Sequence, residues 1–520
     1  MPTYLSPGVY VEEVEAGSRP IEGVGTAVAA FVGVAQKGPV NEPTLVSNWT
    51  QFSERFGDFV PGSYLAHAVY GYMQNGGQNC FIVRIGANGT GPAPEQAKSG
   101  AKAVAPPREG VLGGYRVTSL PSVAAGKNLT VEVADPGGES PPDDQFKLIV
   151  NVDGKPTETY DNVTSKRGGD NVVTKVNAAS KLIQLEEITS GSALAKPDKG
   201  TAELVTPEPE PEPPSVEHLG AEDYVGDAAD RTGFSSLEEI DEVTIVSVPD
   251  LVAAYEQGVV DLETFKAVQL AVISHCELMG NRVAILDPPP DLSPQQIKRW
   301  RVEDAGYDSK YATLYWPYVK VFDPSTGTNR FVPPSGHVAG IWARNDDTRG
   351  VHKAPANEVI RGAIALQTNI TKAEHDLLNP VGINCVRSFP GRGIRVWGAR
   401  TLSSDPAWRY LNVRRLFNYL EDSILAGTQW VVFEPNDPAL WARMRRTVGA
   451  FLINEWRKGA LFGLTPDEAF YVKCDSETNP AEGIDAGQVL CQIGVAPVKP
   501  AEFVIFQLAQ FSGGTSLVSE

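Results

Sequence analysis

The sequence predicts a multidomain α/β (α+β) protein: an α/β core interrupted by an inserted, mostly β domain, with an extended strand-forming arm at each end. Three observations predict it. Buried-type strand runs alternate with capped helical stretches at 21–86 and again from about 238. Between them the texture changes to Gly, Pro, Ser, Thr and Asp with short β-type runs. Both chain ends carry apolar, strand-like segments with no neighbouring strand in sequence.

The 520 residues are too many for one core, and three or four units are expected. A net charge of −19 argues against a general nucleic-acid binder, keeps free subunits soluble and makes them repel one another. Cys80, Cys276, Cys385, Cys474 and Cys491 are scattered without a CxxC pair, so free thiols are expected rather than a zinc site or a disulfide framework. The first residues lack a signal peptide, and no run of about 18 apolar residues suggests a membrane span. Synthesis and assembly in the cytoplasm are expected.

Residues 1–20 read as an arm whose Val9, Tyr10, Val11 and Val14 belong to a short strand. In 21–86, Ala27 to Val34 suits a buried strand, Asn48 and Ser63 can cap two helices, and Cys80 to Ile85 is a second strand. The insertion is expected at 87–230. It carries 13 Lys/Arg against 23 Asp/Glu, so a solvent-facing role is expected for it. It ends in Pro207-Glu208-Pro209-Glu210-Pro211-Glu212-Pro213-Pro214, an extended spacer by composition.

The core is expected to resume at 231–375. Val243 to Val248 is strand, Leu251 to Gly280 helix with a break at Gly258, and Arg282 to Asp287 strand. Tyr311 to Phe322 reads as an aromatic, strand-like stretch. A further domain at 376–500 is expected to contain two amphipathic helices, each opened by Asp-Pro, at 405–427 and 437–459. Residues 501–520 form the last segment, with Phe503 to Phe511 a nine-residue strand including Ile505, Phe506 and Leu508. The region 392–458 holds 11 Lys/Arg and 6 Asp/Glu. Arg409, Arg414, Arg415, Arg443, Arg445 and Arg446 lie off the apolar stripes, as either a solvated face or a docking face for an acidic protein.

No P-loop, GxSxG elbow or HExxH is present, so no catalytic, cofactor or metal site is expected. Ser335 and His337 are two residues apart, which supplies no triad geometry by itself. His275-Cys276 lies in an apolar helix and reads as core. Gly391-Arg392-Gly393 lacks the third glycine of a dinucleotide fingerprint, and Asp346-Asp347 lacks further oxygen ligands for a cation.

Pro7-Gly8-Val9-Tyr10-Val11-Glu12-Glu13, Phe31-Val32-Gly33-Val34-Ala35, Val332 to Gly340, and Gly350 to Asn357 resemble segments of contractile tail sheath proteins. So do Gly393 to Thr401, Phe433-Glu434-Pro435-Asn436, Gly494 to Pro497 and Pro500-Ala501-Glu502-Phe503. The resemblance implies a tail-sheath-like core and a structural, non-enzymatic subunit of a phage tail or phage-tail-like injection system. It implies a homo-oligomeric helical lattice around an inner tube protein, ended by baseplate and terminal cap proteins. It also implies exchange of terminal strands between neighbours, and contraction. On that implication the six arginines are tube-facing candidates and the acidic insertion faces outward. Nucleic acid and membrane insertion are not implied. Two other readings stay open: a hydrolase or oxidoreductase using Ser335, His337 and Arg395, and a non-contractile tube or shell protein.

Overall fold

The computed structural model describes residues 20–86, 108–120, 128–137, 142, 144–166, 168–187, 196–204 and 219–507. The chain divides into two compact units, Met1–Asn88 with Pro213–Glu520, and Gly89–Glu212.

The first unit opens with β1 (Ala29–Gly33), β2 (Thr44–Val46), helices α1 (Trp49–Phe56) and α2 (Leu65–Asn75), and β3 (Cys80–Arg84). Every residue of β1 and β3 is buried, as an apolar run without alternation requires of a strand covered on both faces. Asn48 caps α1 by accepting from Gln51 N. Ser63 Oγ accepts from Leu65 N, the first residue of α2, at 3.2 Å, as the expected cap would, with Tyr64 between them. The free N–H groups of Tyr64 and Leu65 point at the carboxylate of Asp250, which also accepts from Ser63 Oγ and Val34 N.

The second unit contains β4 (Glu109–Leu112), β5 (Tyr115–Ser119), β6 (Leu129–Ala134), β7 (Gln145–Val152), β8 (Lys155–Thr164), α3 (Val172–Ala179), β9 (Ile183–Glu187) and β10 (Gly200–Glu203). Its antiparallel sheets run β10-β6-β7-β8 and β4-β5-β9. Alternate residues of β6 (Leu129, Val131, Val133) are buried beside Phe146, Leu148 and Val150 of β7.

The chain re-enters the first unit earlier than the expected boundary at 230. Helix α4 (Ala221–Val225) buries Tyr224 in the large core, and its hydroxyl donates to the Asp250 carbonyl at 3.0 Å. Then follow β11 (Ile245–Ser247), α5 (Asp250–Glu256), α6 (Leu262–Met279), β12 (Val283–Leu286), α7 (Pro294–Arg299) and β13 (Ala312–Trp316). Next come β14 (Val319–Asp323), β15 (Thr328–Val332), α8 (Ser335–Arg349), β16 (Glu358–Val359), β17 (Ala365–Leu366), α9 (Lys372–Leu378), β18 (Ile383–Phe389) and β19 (Gly393–Val396). One nine-stranded sheet runs β16-β19-β18-β13-β12-β11-β1-β3-β2. Its six central strands are parallel, while β2, β19 and β16 are antiparallel to their neighbours.

Two expectations change here. The strand-like stretch at 311–322 is two strands in different sheets, β13 and β14, separated by the cis Trp316-Pro317 bond. The boundary at 376 falls inside the core domain, because β18 and β19 extend the large sheet.

Helix α8 lies against α2 at backbone contact. A Cβ on Gly336 would sit 2.3 Å from the Ala68 carbonyl oxygen, and one on Gly340 would sit 2.2 Å from that of Tyr72. The glycines of the Pro-Pro-Ser-Gly segment are therefore a packing device.

The unit closes with α10 (Leu411–Gly427), α11 (Pro438–Arg457) and the antiparallel pair β20 (Phe470–Lys473) and β21 (Gln492–Val495). Leu416, Leu420, Val448, Phe451 and Leu452 form the shared core of the two helices, joined by Ile21. Asp437 caps α11 with Pro438 at its first position, as expected. Helix α10 starts six residues after Asp405, because the Arg400–Tyr410 bridge and the Thr401 N–Arg409 O bond hold 409–410 extended.

Gly336→Ala and Gly340→Ala are each expected to cost about 1–3 kcal/mol through overpacking against α2. Gly449→Ala, in α11 with open space at its Cβ position, is expected to gain about 1 kcal/mol. Urea melts of the three variants check the pair of signs.

Candidate assembly interface

The N-terminal arm residues Val9, Tyr10, Val11 and Val14 lie outside the described residues, as does Leu508. The arm joins the body where Ile21 packs at Gly427 and Val24 N donates to Ser423 Oγ at 3.2 Å.

The C-terminal segment is tied down as far as Glu502, and no hydrogen bond or ion pair holds 503–507 among the described residues. Val498 N donates to Ala460 O, and Asn412 Nδ2 donates to Val498 O. The Glu502 carboxylate receives Arg400 Nη2 at 2.6 Å and Nε at 2.9 Å, Asn379 Nδ2 at 2.7 Å and Tyr410 OH at 3.2 Å. Beyond it Phe503, Val504, Ile505 and Phe506 are 72%, 68%, 82% and 85% exposed. The strand expected here is not formed over 501–507. A strand is defined by its ladder, and this segment has no ladder partner among the described residues.

The pair β20–β21 is a two-stranded sheet, and Tyr471 (61% exposed), Phe462 and Leu464 present apolar surface on or beside it. The pair packs Phe470, Val472, Ile493 and Val495 on the core of α10 and α11, and no named strand pairs with either outer edge among the described residues.

The six arginines separate into two groups. Arg414 and Arg415 are buried, which corrects the expectation that they offer a docking face. Arg414 donates to Asn418 Oδ1 at 2.7 Å and lies 4.4 Å over the Trp408 ring. Arg415 makes a two-pronged pair with Asp346 at 2.9 and 2.6 Å, donates to Thr26 O, and lies over Trp342. A guanidinium can be buried where its planar fork is fully matched, and a count of charges on a helix cannot see that. Arg443, Arg445 and Arg446 share one open hollow of α11 with Ala439 and Ala442. Arg443 pairs with Glu434 at 2.6 Å, Arg445 donates to the Cys474 carbonyl, and Arg446 and Arg409 are exposed.

Ser335, His337 and Arg395 do not converge. Ser335 and His337 are buried in the first turn of α8, with Ser335 N facing Asp287 and the His337 ring against Gly71. Arg395 belongs to β19 and donates to Asn357 O. His275 packs on Phe234 and stands beside Arg282. No group of three metal-ligating side chains occurs among the described residues. Nor is any described helix long and apolar enough to cross a membrane.

The Glu502 clamp escaped sequence reasoning. Pro500-Ala501-Glu502-Phe503 was visible as a motif, but its partners Asn379, Arg400 and Tyr410 come from three different segments.

The phage tail sheath protein central domain matches residues 219–402, and the phage tail sheath C-terminal domain matches 403–511. The chain belongs to the phage tail sheath family. The tail sheath protein of Burkholderia phage BcepMu is 24% identical over 523 residues, 96% of this chain and 95% of that protein. The tail sheath protein of Vibrio phage KVP40 is 30% identical over 207 residues, covering 39% of this chain and 30% of that protein. The same fold occurs in the contracted helical sheath of the anti-feeding prophage, with TM-score 0.59 and 22% identity over 98% of this chain and all of that one. The contracted PVC sheath, an extracellular contractile injection system, gives TM-score 0.58 and 22% identity over 98% of this chain and 99% of that one.

Two stability predictions follow from this geometry. Arg415→Ala should cost about 3–5 kcal/mol by leaving Asp346 buried without its partner, whereas Arg446→Ala should stay within about 0.5 kcal/mol. Denaturant midpoints compare them. Burial lowers His337 to about 4. Its neutral form therefore contributes stability above about pH 6.5 that is lost as the pH falls towards 4. The stability lost between pH 7 and pH 5 should be about 2 kcal/mol smaller in His337→Gln than in the unaltered chain. Equal losses would remove this ring from the acid response.

Proposed function

We propose that the chain is the subunit of a contractile sheath. Copies polymerise helically around an inner tube, mesh by exchanging terminal strands, and shorten together to drive the tube through a target envelope. The observation that carries this reading is the apolar segment Phe503–Phe506, exposed beyond an anchored Glu502 and without a ladder partner among the described residues. β-Augmentation of a neighbour covers such a segment and satisfies its backbone. The open pair β20–β21 is a candidate acceptor, and Val9, Tyr10, Val11 and Val14 are the matching donor at the other end. A head-to-tail contact of this kind does not close on itself and so grows a helix.

Arg409, Arg443 and Arg446 are the tube-facing candidates, and Arg445 stands beside the last two with its side chain tied back to Cys474. The partners proposed are further copies of the chain, an acidic tube surface, and baseplate and cap proteins at the lattice ends. Assembly is proposed to occur in the bacterial cytoplasm, before any release of the particle. The work of contraction comes from repacked interfaces between rigid bodies.

Removing residues 1–15 should leave a folded monomer that forms no tubes. Long tubes of the truncated chain in electron micrographs would remove strand exchange at this end. Reversing Arg443 and Arg446 to Glu should reduce co-sedimentation with the tube about tenfold or more while thermal stability is kept. Unchanged co-sedimentation would take the tube contact away from α11.

A further inference from the structure

Five cysteines are spread over the chain, and the fold brings two of them face to face. Cys80 and Cys385 lie on β3 and β18, five places apart in the large sheet, which is about 24 Å at about 4.8 Å per strand. Cys276 is buried on α6 in the same core. Cys474 and Cys491 share a separate, small cluster with Leu440, Trp441 and Met444 of α11.

The pairing of β20 with β21 fixes how these two meet. Lys473 stands opposite Gln492, so one step further out Cys474 stands opposite Cys491. Ala496 N donates to Ala469 O at 2.8 Å, which marks 469 and 496 as a hydrogen-bonded pair. Hydrogen-bonded and open pairs alternate along an antiparallel ladder, so Cys474 and Cys491 fall on an open pair. The Cα atoms of an open pair approach to about 4.5 Å, with side chains closer than in the other kind. A disulfide spans Cα separations of about 4.4–6.8 Å. The two thiols are hydrogen-bonded to each other, and both are free.

The surroundings give the two sulfurs different parts. Cys474 is fully buried, and its sulfur accepts from Asn479 Nδ2 at 3.7 Å. Burial raises its thiol, while Asn479, Cys491 and the nearby Arg445 guanidinium work the other way. Cys491 is half-buried and is the sulfur within reach of a solute. Burial first, and then the Cys474 thiol, push Cys491 up to about 12. Its thiolate is therefore scarce near neutral pH, and its reaction with a solute is slow there.

We propose that Cys474 and Cys491 form a dithiol site that a low-molecular-weight disulfide such as oxidised glutathione converts to an internal disulfide. Cys491 loses its proton to water, and its thiolate attacks one sulfur of the small disulfide, whose S–S bond breaks to release one thiolate. Cys474, deprotonated in turn, attacks Cys491 Sγ; the mixed S–S bond breaks and the second small thiolate leaves. The two released thiolates take up the two protons. Two protein thiols are thus oxidised as one small disulfide is reduced to two thiols. The new bond closes residues 475–490 into a loop and braces β20–β21 against α11. A reducing cytoplasm keeps the site open, and an oxidising exterior closes it. Only one copy of the chain takes part, so the site does not depend on the proposed strand exchange.

The test incubates the full, folded chain with oxidised glutathione, beside a sample kept in dithiothreitol. Peptide mapping should show a Cys474–Cys491 cross-link, and thiols counted in denaturant should fall from five to three. The rate should rise about tenfold per pH unit between about pH 7 and pH 9, following the Cys491 thiolate. Cys474→Ala should stop at a glutathione adduct on Cys491, whereas Cys491→Ala should leave Cys474 unmodified. Mapping of the unaltered chain decides the pairing whether or not the two variants fold. A lasting glutathione adduct on Cys491 of the unaltered chain overturns the site. So does a cross-link that forms only in denaturant or involves Cys80, Cys276 or Cys385, or the absence of any cross-link at the highest pH. The urea midpoint of the oxidised chain should rise and return on reduction, and an unchanged midpoint overturns the brace.

Discussion

The frame of this molecule depends on one buried carboxylate. Asp250 opens α5, yet its oxygens accept from Val34 N at 2.6 Å, Ser63 Oγ at 2.9 Å, Leu65 N at 3.0 Å and Tyr64 N. It therefore ends β1, caps α2 and starts α5 at one point, joining segments separated by about 190 residues of sequence. Burial pushes its acid up to about 6, opposed by those four donors. The site is sterically tight, since a Cβ on Gly33 would lie 2.4 Å from Asp250 Oδ2. The joint lets a chain be interrupted by an insertion and still close one parallel sheet. The roots of the insertion are close: a Cβ on Gly86 would be 3.7 Å from Leu219. Ends that near can tolerate a connection of almost any length, because loop closure costs rise only slowly with size.

On the proposed strand exchange, the chain ends supply the cohesion that polymerisation needs. A net charge of −19 opposes association, so cohesion must be local. Burying four large side chains such as Phe503–Phe506 stabilises by about 6–12 kcal/mol at about 1.5–3 kcal/mol each. Fixing a segment of that size costs a comparable amount, at about 1–2 kcal/mol per residue for the backbone alone. The exchange of a single arm is then near balance by itself, and it becomes decisive when ladder hydrogen bonds and a neighbour's edge are added. Near balance suits a lattice that must change its geometry without coming apart.

How much of this was legible in the sequence varied with the locality of the signal. Asp437-Pro438 marked the start of α11 because cap and proline act within one turn. Asp405-Pro406 carried the same signal and was overridden by the Arg400–Tyr410 bridge, a contact from outside the helix. The parallel core was visible because strands covered on both faces must be apolar throughout. Trp316-Pro317 was present as a breaker inside an aromatic run, but the change of sheet that it accompanies depends on tertiary pairing. Arg414 and Arg415 looked like surface charge, since their matching groups Asn418, Asp346 and Trp342 converge only after folding. The enzyme-like signals at Ser335 and His337 dissolved for a related reason: the glycines between and after them bring α8 onto α2.

The placement of these matched charges has a mechanical consequence. Arg415–Asp346 lies inside the body, where Arg415 also donates to Thr26 O, so the N-terminal approach, α8 and α10 move as one piece. Arg400–Glu502 does the same for the C-terminal segment, fixing it to α9 and the end of the large sheet. Arg415–Asp346 is shielded from solvent and Arg400–Glu502 is half-buried, which makes the first the costlier to break. The described body is thereby braced where Thr26 and Glu502 are bonded to it. A pull on the tail is delivered through the Arg400 fork into the parallel sheet, because the segment behind it is also bonded at Val498. A body braced where its two ends leave it can rotate as a unit, and that is what the proposed strand exchange asks of a contracting lattice.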